Sequence, residues 1–68
     1  MRFTVEIEQE TDGRWIAEVR ELPGTLCYAQ TRDDAVAKVQ VLALRVIADR
    51  LEHRESAPEL VSVVFSAA

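Results

Sequence analysis

The sequence predicts a small α+β domain with the element order β-β-β-α-β, in which one long helix packs on one face of a mainly antiparallel sheet. Apolar and polar residues alternate with a period of two in residues 2–9 and 14–19, which is typical of strands that bury one face. Residues 31–54 instead repeat their apolar positions at helical spacing. At 68 residues the chain is expected to form a single domain, residues 1–68.

The composition predicts a soluble protein that depends on another chain. The sequence is 49% hydrophobic and 29% charged, and no apolar run reaches the ~18 residues of a membrane span. The first residues lack the apolar core of a signal peptide, so we expect a cytoplasmic protein. The single cysteine excludes an internal disulfide, and no Cys/His cluster offers a structural metal site. Because so small a domain usually needs a supplement, oligomerisation or a partner protein is expected.

The first two strands are predicted to form a hairpin. A three-residue loop at residues 11–13 sets apolar Ile7 opposite apolar Ala17, whereas a two-residue loop would set Ile7 opposite Glu18. The longer loop also places Gly13 where the backbone requires a positive φ. We therefore predict the three-residue loop.

The remaining elements follow from local signals. Pro23 and Gly24 predict a turn before a short third strand at residues 25–29. Thr31 is the predicted N-cap of the helix, and a final strand is expected at residues 60–66.

The predicted helix has more apolar surface than one sheet face can cover. Its core stripe comprises Ala35, Val36, Val39, Leu42, Ala43, Val46 and Ile47. A second apolar surface, the helix back, comprises Val41, Leu44, Ala48 and Leu51. An apolar surface of this kind needs its own covering, so we expect the helix back to mediate self-association into a homodimer or homotetramer.

Negative charge is concentrated in the predicted strands. The net charge is −4, and residues 1–30 carry six acidic residues against three arginines. This disfavours direct nucleic-acid binding, which depends on basic contacts to phosphate, and favours a basic protein partner. The hairpin register sets Glu6 opposite Glu18, with Glu8 and an exposed Ile16 beside them. We predict that these four residues, the acidic sheet face, bind the partner.

The same carboxylates leave a catalytic alternative open. A minimal metal-dependent ribonuclease would use Glu6, Glu8 and Glu18 to hold Mg²⁺. A solvated or partner-binding acidic face is the simpler interpretation, because no Lys or His completes a site. We interpret Cys27 as a small hydrophobic residue and His53 as a helix-end residue. We therefore expect no catalytic residue, no cofactor and no metal.

A distinctive motif covers the hairpin loop, the second strand and the following turn. Residues 12–24 read DGRWIAEVRELPG, and a threonine and an alanine-rich amphipathic helix follow them. This order resembles the HicB-like antitoxin family over residues 3–65. The chain departs from the family pattern at Arg20, where many members have proline, and at Ala29, where many have glycine.

The resemblance implies a partial ribonuclease H-like fold with the order β-β-β-α-β. It also implies a partner, a HicA-like toxin, which is a small basic protein that cleaves RNA. Many members carry a C-terminal DNA-binding segment, which we expect this chain to lack. The expected function is therefore neutralisation of such a toxin by direct protein–protein contact. An orphan homo-oligomer without a toxin is the remaining alternative.

Overall fold

Four strands and one helix make up the part of the chain that the structure, a computed structural model, describes: residues 1–53 and 62–68. In chain order they are β1 (Arg2–Gln9), β2 (Trp15–Val19), β3 (Leu26–Ala29), α1 (Arg32–Glu52) and β4 (Val64–Ala67). The helix packs on one face of the sheet. This architecture confirms the predicted α+β fold class and the predicted element order.

The sheet has the strand order β3-β2-β1-β4, so β1 and β2 are central and β3 and β4 are the edges. β2 pairs antiparallel with both β1 and β3, whereas β4 lies parallel to β1. The parallel pair sets Phe3 opposite Phe65, and the two rings stack with their centroids 5.6 Å apart. The sheet is therefore mainly antiparallel, as predicted, with one parallel edge strand.

The hairpin has the predicted register, in which Ile7 pairs with Ala17. The Glu10 N–H donates to the Arg14 carbonyl at 2.7 Å, and the Gly13 N–H donates to the Glu10 carbonyl at 3.0 Å. Gly13 has a φ of +90°, which strains any residue with a side chain. The three-residue loop therefore closes the hairpin as predicted.

The second turn also uses a glycine with positive φ. Gly24 has a φ of +87°, and the Thr25 N–H donates to the Leu22 carbonyl at 2.9 Å. Leu22 is buried, so the turn is attached to the core. Because the Thr25 N–H bonds within the turn, β3 begins one residue later than predicted, at Leu26.

The helix begins at its predicted cap. The Asp34 N–H donates to Thr31 Oγ1 at 3.1 Å, which satisfies one of the free donors of the first turn. At the other end the His53 N–H donates to the Asp49 carbonyl at 3.0 Å. The predicted last helical residue, 54, lies outside the described residues, as do 60 and 61 of the predicted final strand. The described part of that strand begins at Val64 rather than at Ser62.

The core lies between α1 and the sheet. Its buried hydrophobic residues are Phe3, Val5, Ala17, Val19, Leu22, Ala29, Ala35, Val39, Ala43 and Ile47. In the predicted core stripe of the helix, Val36, Leu42 and Val46 are only partly buried, because they lie on the flanks of the contact with a narrow sheet. No helix in the described ranges is long and apolar enough to cross a membrane.

Candidate partner-binding surface

The sheet face opposite α1 is not covered by any described element. Two rows of side chains cross it, one of Glu6, Glu18 and Leu26 and one of Glu8, Ile16 and Tyr28. Each row runs from an acid on β1 to an exposed apolar or aromatic side chain on β3. Since neighbouring strands lie about 4.8 Å apart, acidic and apolar groups meet within a strip ~10 Å wide. This combination suits a partner that carries both cations and apolar side chains.

Glu6 and Glu18 are directly opposed, as the hairpin register predicts. Like charges in such a cross-strand pair destabilise a sheet by up to about 1 kcal/mol. Arg20 offsets part of this repulsion, because its Nε donates to a Glu6 carboxylate oxygen at 2.6 Å. The hydrogen bond to Glu6 raises the pKa of Arg20. Both side chains are about half exposed, so solvent screens the pair and its net stabilisation is small.

Arg20 is a site residue that the sequence analysis treated only as a departure from a family pattern. Its backbone N–H donates to the Thr4 carbonyl at 3.0 Å, a bond that proline is unable to make. The alternation of faces along β2 already indicated this position for Arg20. Arg20 lies two residues after Glu18 and therefore points to the same face, next to Glu6.

Glu21 is a second contact that the sequence analysis missed. One oxygen of its carboxylate accepts the Thr4 N–H at 2.7 Å, and the other accepts the Thr4 hydroxyl at 2.8 Å. The hydrogen bond from the Thr4 N–H lowers the pKa of Glu21 below its ordinary value of 4.5. Glu21 thus attaches the turn after β2 to the central strand β1.

The other two acids have no such partner in the described ranges. Within residues 1–53 and 62–68, neither Glu8 nor Glu18 forms a salt bridge. Ile16 lies between Glu8 and Tyr28 in its row and is only partly exposed, less than predicted, because both neighbours flank it. Glu8 and Glu18 are therefore the carboxylates of the acidic sheet face that remain available for a cation from outside.

Arg14 extends this surface at the hairpin end. Its guanidinium lies 4.5 Å from the centre of the Tyr28 ring, and its Nε donates to Asp12 Oδ2 at 2.7 Å. The Arg14 N–H also donates to the Asp12 carboxylate, and this bond lowers the pKa of Asp12. The hydrogen bond to Asp12 and the cation–π contact with Tyr28 together hold Arg14 at this end of the outer face.

The helix back is exposed along its length. Val41 and Leu44 are each about half exposed, Leu51 is 36% exposed, and Ala48 is also exposed. These four residues follow one another at intervals of three and four, which is the spacing that aligns apolar side chains along one side of a helix. The structure thus places the predicted self-association residues together on one strip, on the side of the molecule opposite the acidic sheet face.

The nuclease alternative requires a metal site built from Glu6, Glu8 and Glu18. In the part of the chain that the structure describes, no group of three or more His, Cys, Asp or Glu side chains is arranged to hold a metal ion. Glu6 is already bonded to Arg20.

Comparison with known proteins assigns no family to the chain. No protein-family model matches it, and no curated protein or solved structure matches it. Its function is therefore inferred from its own residues and their geometry.

Proposed function

We propose that the protein is a HicB-like antitoxin-type binding protein that neutralises a small, basic, RNA-cleaving HicA-like toxin by direct contact. The supporting observation is the open acidic sheet face, in which Glu8 and Glu18 have no salt bridge among the described residues. The motif at residues 12–24 and the β-β-β-α-β order agree with the pattern of that family.

The chemistry of this face fits a basic partner. A lysine or arginine of the toxin near Glu18 relieves the repulsion between Glu18 and Glu6 and gains a charge-assisted hydrogen bond. Leu26 and Tyr28 are 37% and 43% exposed beside the acids, and they supply the apolar centre that a stable interface requires. Charge complementarity accelerates encounter with the basic toxin and selects it from other proteins.

The helix back has a separate role in this proposal. Association of two copies through Val41, Leu44, Ala48 and Leu51 covers apolar surface that the sheet leaves exposed. It also leaves the acidic sheet faces of a homodimer or homotetramer pointing outward, so that each copy is free to hold a toxin. The toxin meets its RNA in the cytoplasm, which is therefore the proposed location.

The test is co-expression with any small basic protein that is encoded next to this chain, followed by co-purification and an RNA-cleavage assay. We expect the two proteins to form a complex in which the cleavage activity is suppressed. The double variant Glu8→Lys/Glu18→Lys should weaken the complex at least tenfold and reduce its salt dependence. Glu6 is left unchanged, because its bond to Arg20 is part of the fold.

The matched control is Glu52→Lys/Asp49→Lys, which makes the same change of charge at the end of α1, away from the sheet face. Complex formation and suppression of cleavage should survive this control. If the neighbouring protein neither binds nor is suppressed, the antitoxin proposal fails. If the control weakens the complex as much as the sheet variant does, the assignment of the toxin to the acidic sheet face fails.

A further inference from the structure

A groove lies between α1 and β3 on the helix side of the sheet, away from the acidic sheet face. Its volume is about 380 Å³, within the ~300–1,000 Å³ typical of ligand sites. The lining is mainly apolar and comprises Cys27, Ala37, Leu42 and Val41, and Val41 also belongs to the helix back. The two charged residues that line it, Lys38 and Arg45, are both cations. The α1–β3 groove therefore combines an apolar floor with a positive rim.

The groove adjoins an open strand edge. β3 is the outermost strand on its side of the sheet, and no described strand pairs with its free edge. The Val19 N–H donates to the Thr25 carbonyl, so these two residues form a hydrogen-bonded pair of the β2–β3 ladder. Hydrogen-bonded and non-hydrogen-bonded pairs alternate along an antiparallel ladder, so Cys27, two residues after Thr25, also bonds to β2. The N–H and C=O groups of Leu26 and Tyr28 consequently point away from β2, toward the free edge of β3. They are free to pair with one more strand.

We infer that this edge and groove bind an extended acidic segment of another protein as an added strand, with an apolar side chain in the groove and carboxylates on Lys38 and Arg45. Alternate side chains of such a strand face α1, in the order acid, apolar, acid. Lys38 and Arg45 are ~10.5 Å apart along the helix axis, and the two acids are ~13 Å apart along a strand. The long basic side chains span this difference.

The rim charges select a different chain over a second copy of this one. A two-fold pairing of β3 with β3 would bring Lys38 and Arg45 of both copies together, with like charges facing one another. The other edge, β4, lies in residues 62–68, which contain no acidic side chain to place on the rim. This site therefore goes beyond the proposed function: it takes an acidic ligand, whereas the acidic sheet face takes a basic one.

The probe is an acetylated and amidated heptapeptide, Thr-Glu-Thr-Leu-Thr-Glu-Thr. It is titrated into the ¹⁵N-labelled protein at a concentration where sedimentation shows monomer, because Val41 is covered on self-association. We expect saturable shifts of the amide signals of Leu26 and Tyr28, with binding in the millimolar range. The variant Lys38→Glu/Arg45→Glu should weaken binding at least tenfold, because two attractive pairs become repulsive. A peptide with lysine in place of both glutamates should bind this variant and not the original protein.

The control Arg32→Glu/Arg50→Glu makes the same change of charge on α1 outside the groove lining, and it should leave peptide binding within twofold. The inference is overturned if no shift is seen at millimolar peptide, if the groove variant binds equally well, or if the shifts map to Glu8 and Glu18. Toxin neutralisation by the groove variant should be unchanged. Failure of this site is thus distinguishable from failure of the antitoxin proposal.

Discussion

Two valines of α1 provide a matched comparison of buried and exposed surface. Val39 has no exposed surface, whereas Val41, on the helix back, is 49% exposed. Replacing each with alanine removes the same atoms from the same helix. We expect Val39→Ala to destabilise the domain strongly and Val41→Ala to leave the free energy of unfolding of the monomer almost unchanged.

The expected loss of stability of Val39→Ala follows from the burial of its side chain. Removing two buried methyl groups from Val39 costs about 1.6 kcal/mol at about 0.8 kcal/mol each, and the cavity that remains adds about 1 kcal/mol. The higher helix propensity of alanine returns about 0.5 kcal/mol. The net loss is about 2 kcal/mol, out of roughly 3–10 kcal/mol for a domain of this size. It corresponds to a decrease in Tm of roughly 8–16 °C.

Urea unfolding, measured through the fluorescence of Trp15, the single tryptophan, gives the free energy of unfolding of both variants directly. At a concentration where sedimentation shows monomer, Val41→Ala should lie within about 0.5 kcal/mol of the original protein. At a concentration where the protein self-associates, the same variant should lose stability, because Val41 is then covered. The reasoning is refuted if Val39→Ala costs less than about 0.5 kcal/mol, or if both variants cost the same in the monomer.

Three further predictions concern the turns and the helix cap. Thr31→Ala removes the acceptor of the Asp34 N–H and should cost about 1 kcal/mol in urea unfolding, whereas Thr31→Ser should cost little. Gly24→Ala should cost about 1–2 kcal/mol through its positive φ alone, since an added Cβ meets no atom within 4 Å; Gly24→Asn should cost less. Because the folded-state pKa of Glu21 lies below 4.5, its contribution to stability is present above pH 4.5 and is lost as the pH falls through the lowered pKa. Glu21→Gln should therefore lower the urea midpoint at pH 7 and converge with the original protein in acid; a constant difference across this range would contradict the role of the carboxylate.

The fold was predictable because its determinants are local. The alternation in β1 and β2 and the position of Gly13 are sufficient to set the hairpin register, since a shift of one residue would expose Ile7. Thr31 likewise marks the helix start through a single hydrogen bond. The start of β4 was less predictable, because it depends on pairing with β1 across the whole length of the chain.

The candidate surface was predictable in its position but not in its internal contacts. Register alone sets Glu6 opposite Glu18. The bond of Arg20 to Glu6 depends on the conformations of two long side chains, and the bond of Glu21 to Thr4 depends on the path of a turn. The α1–β3 groove depends on how α1 packs against β3, which periodicity does not specify.

The parallel pairing of β4 with β1 has a consequence for the order in which the protein folds. β1, β2 and β3 are joined by short turns, so their ladders close with little loss of chain entropy. β4 follows α1 in the chain, so its pairing with β1 closes a much longer loop, and it is a strand of only four residues. Until it docks, one side of β1 is an unpaired row of backbone donors and acceptors. One of the two central strands of the finished sheet is thus open to mispairing until β4 has docked.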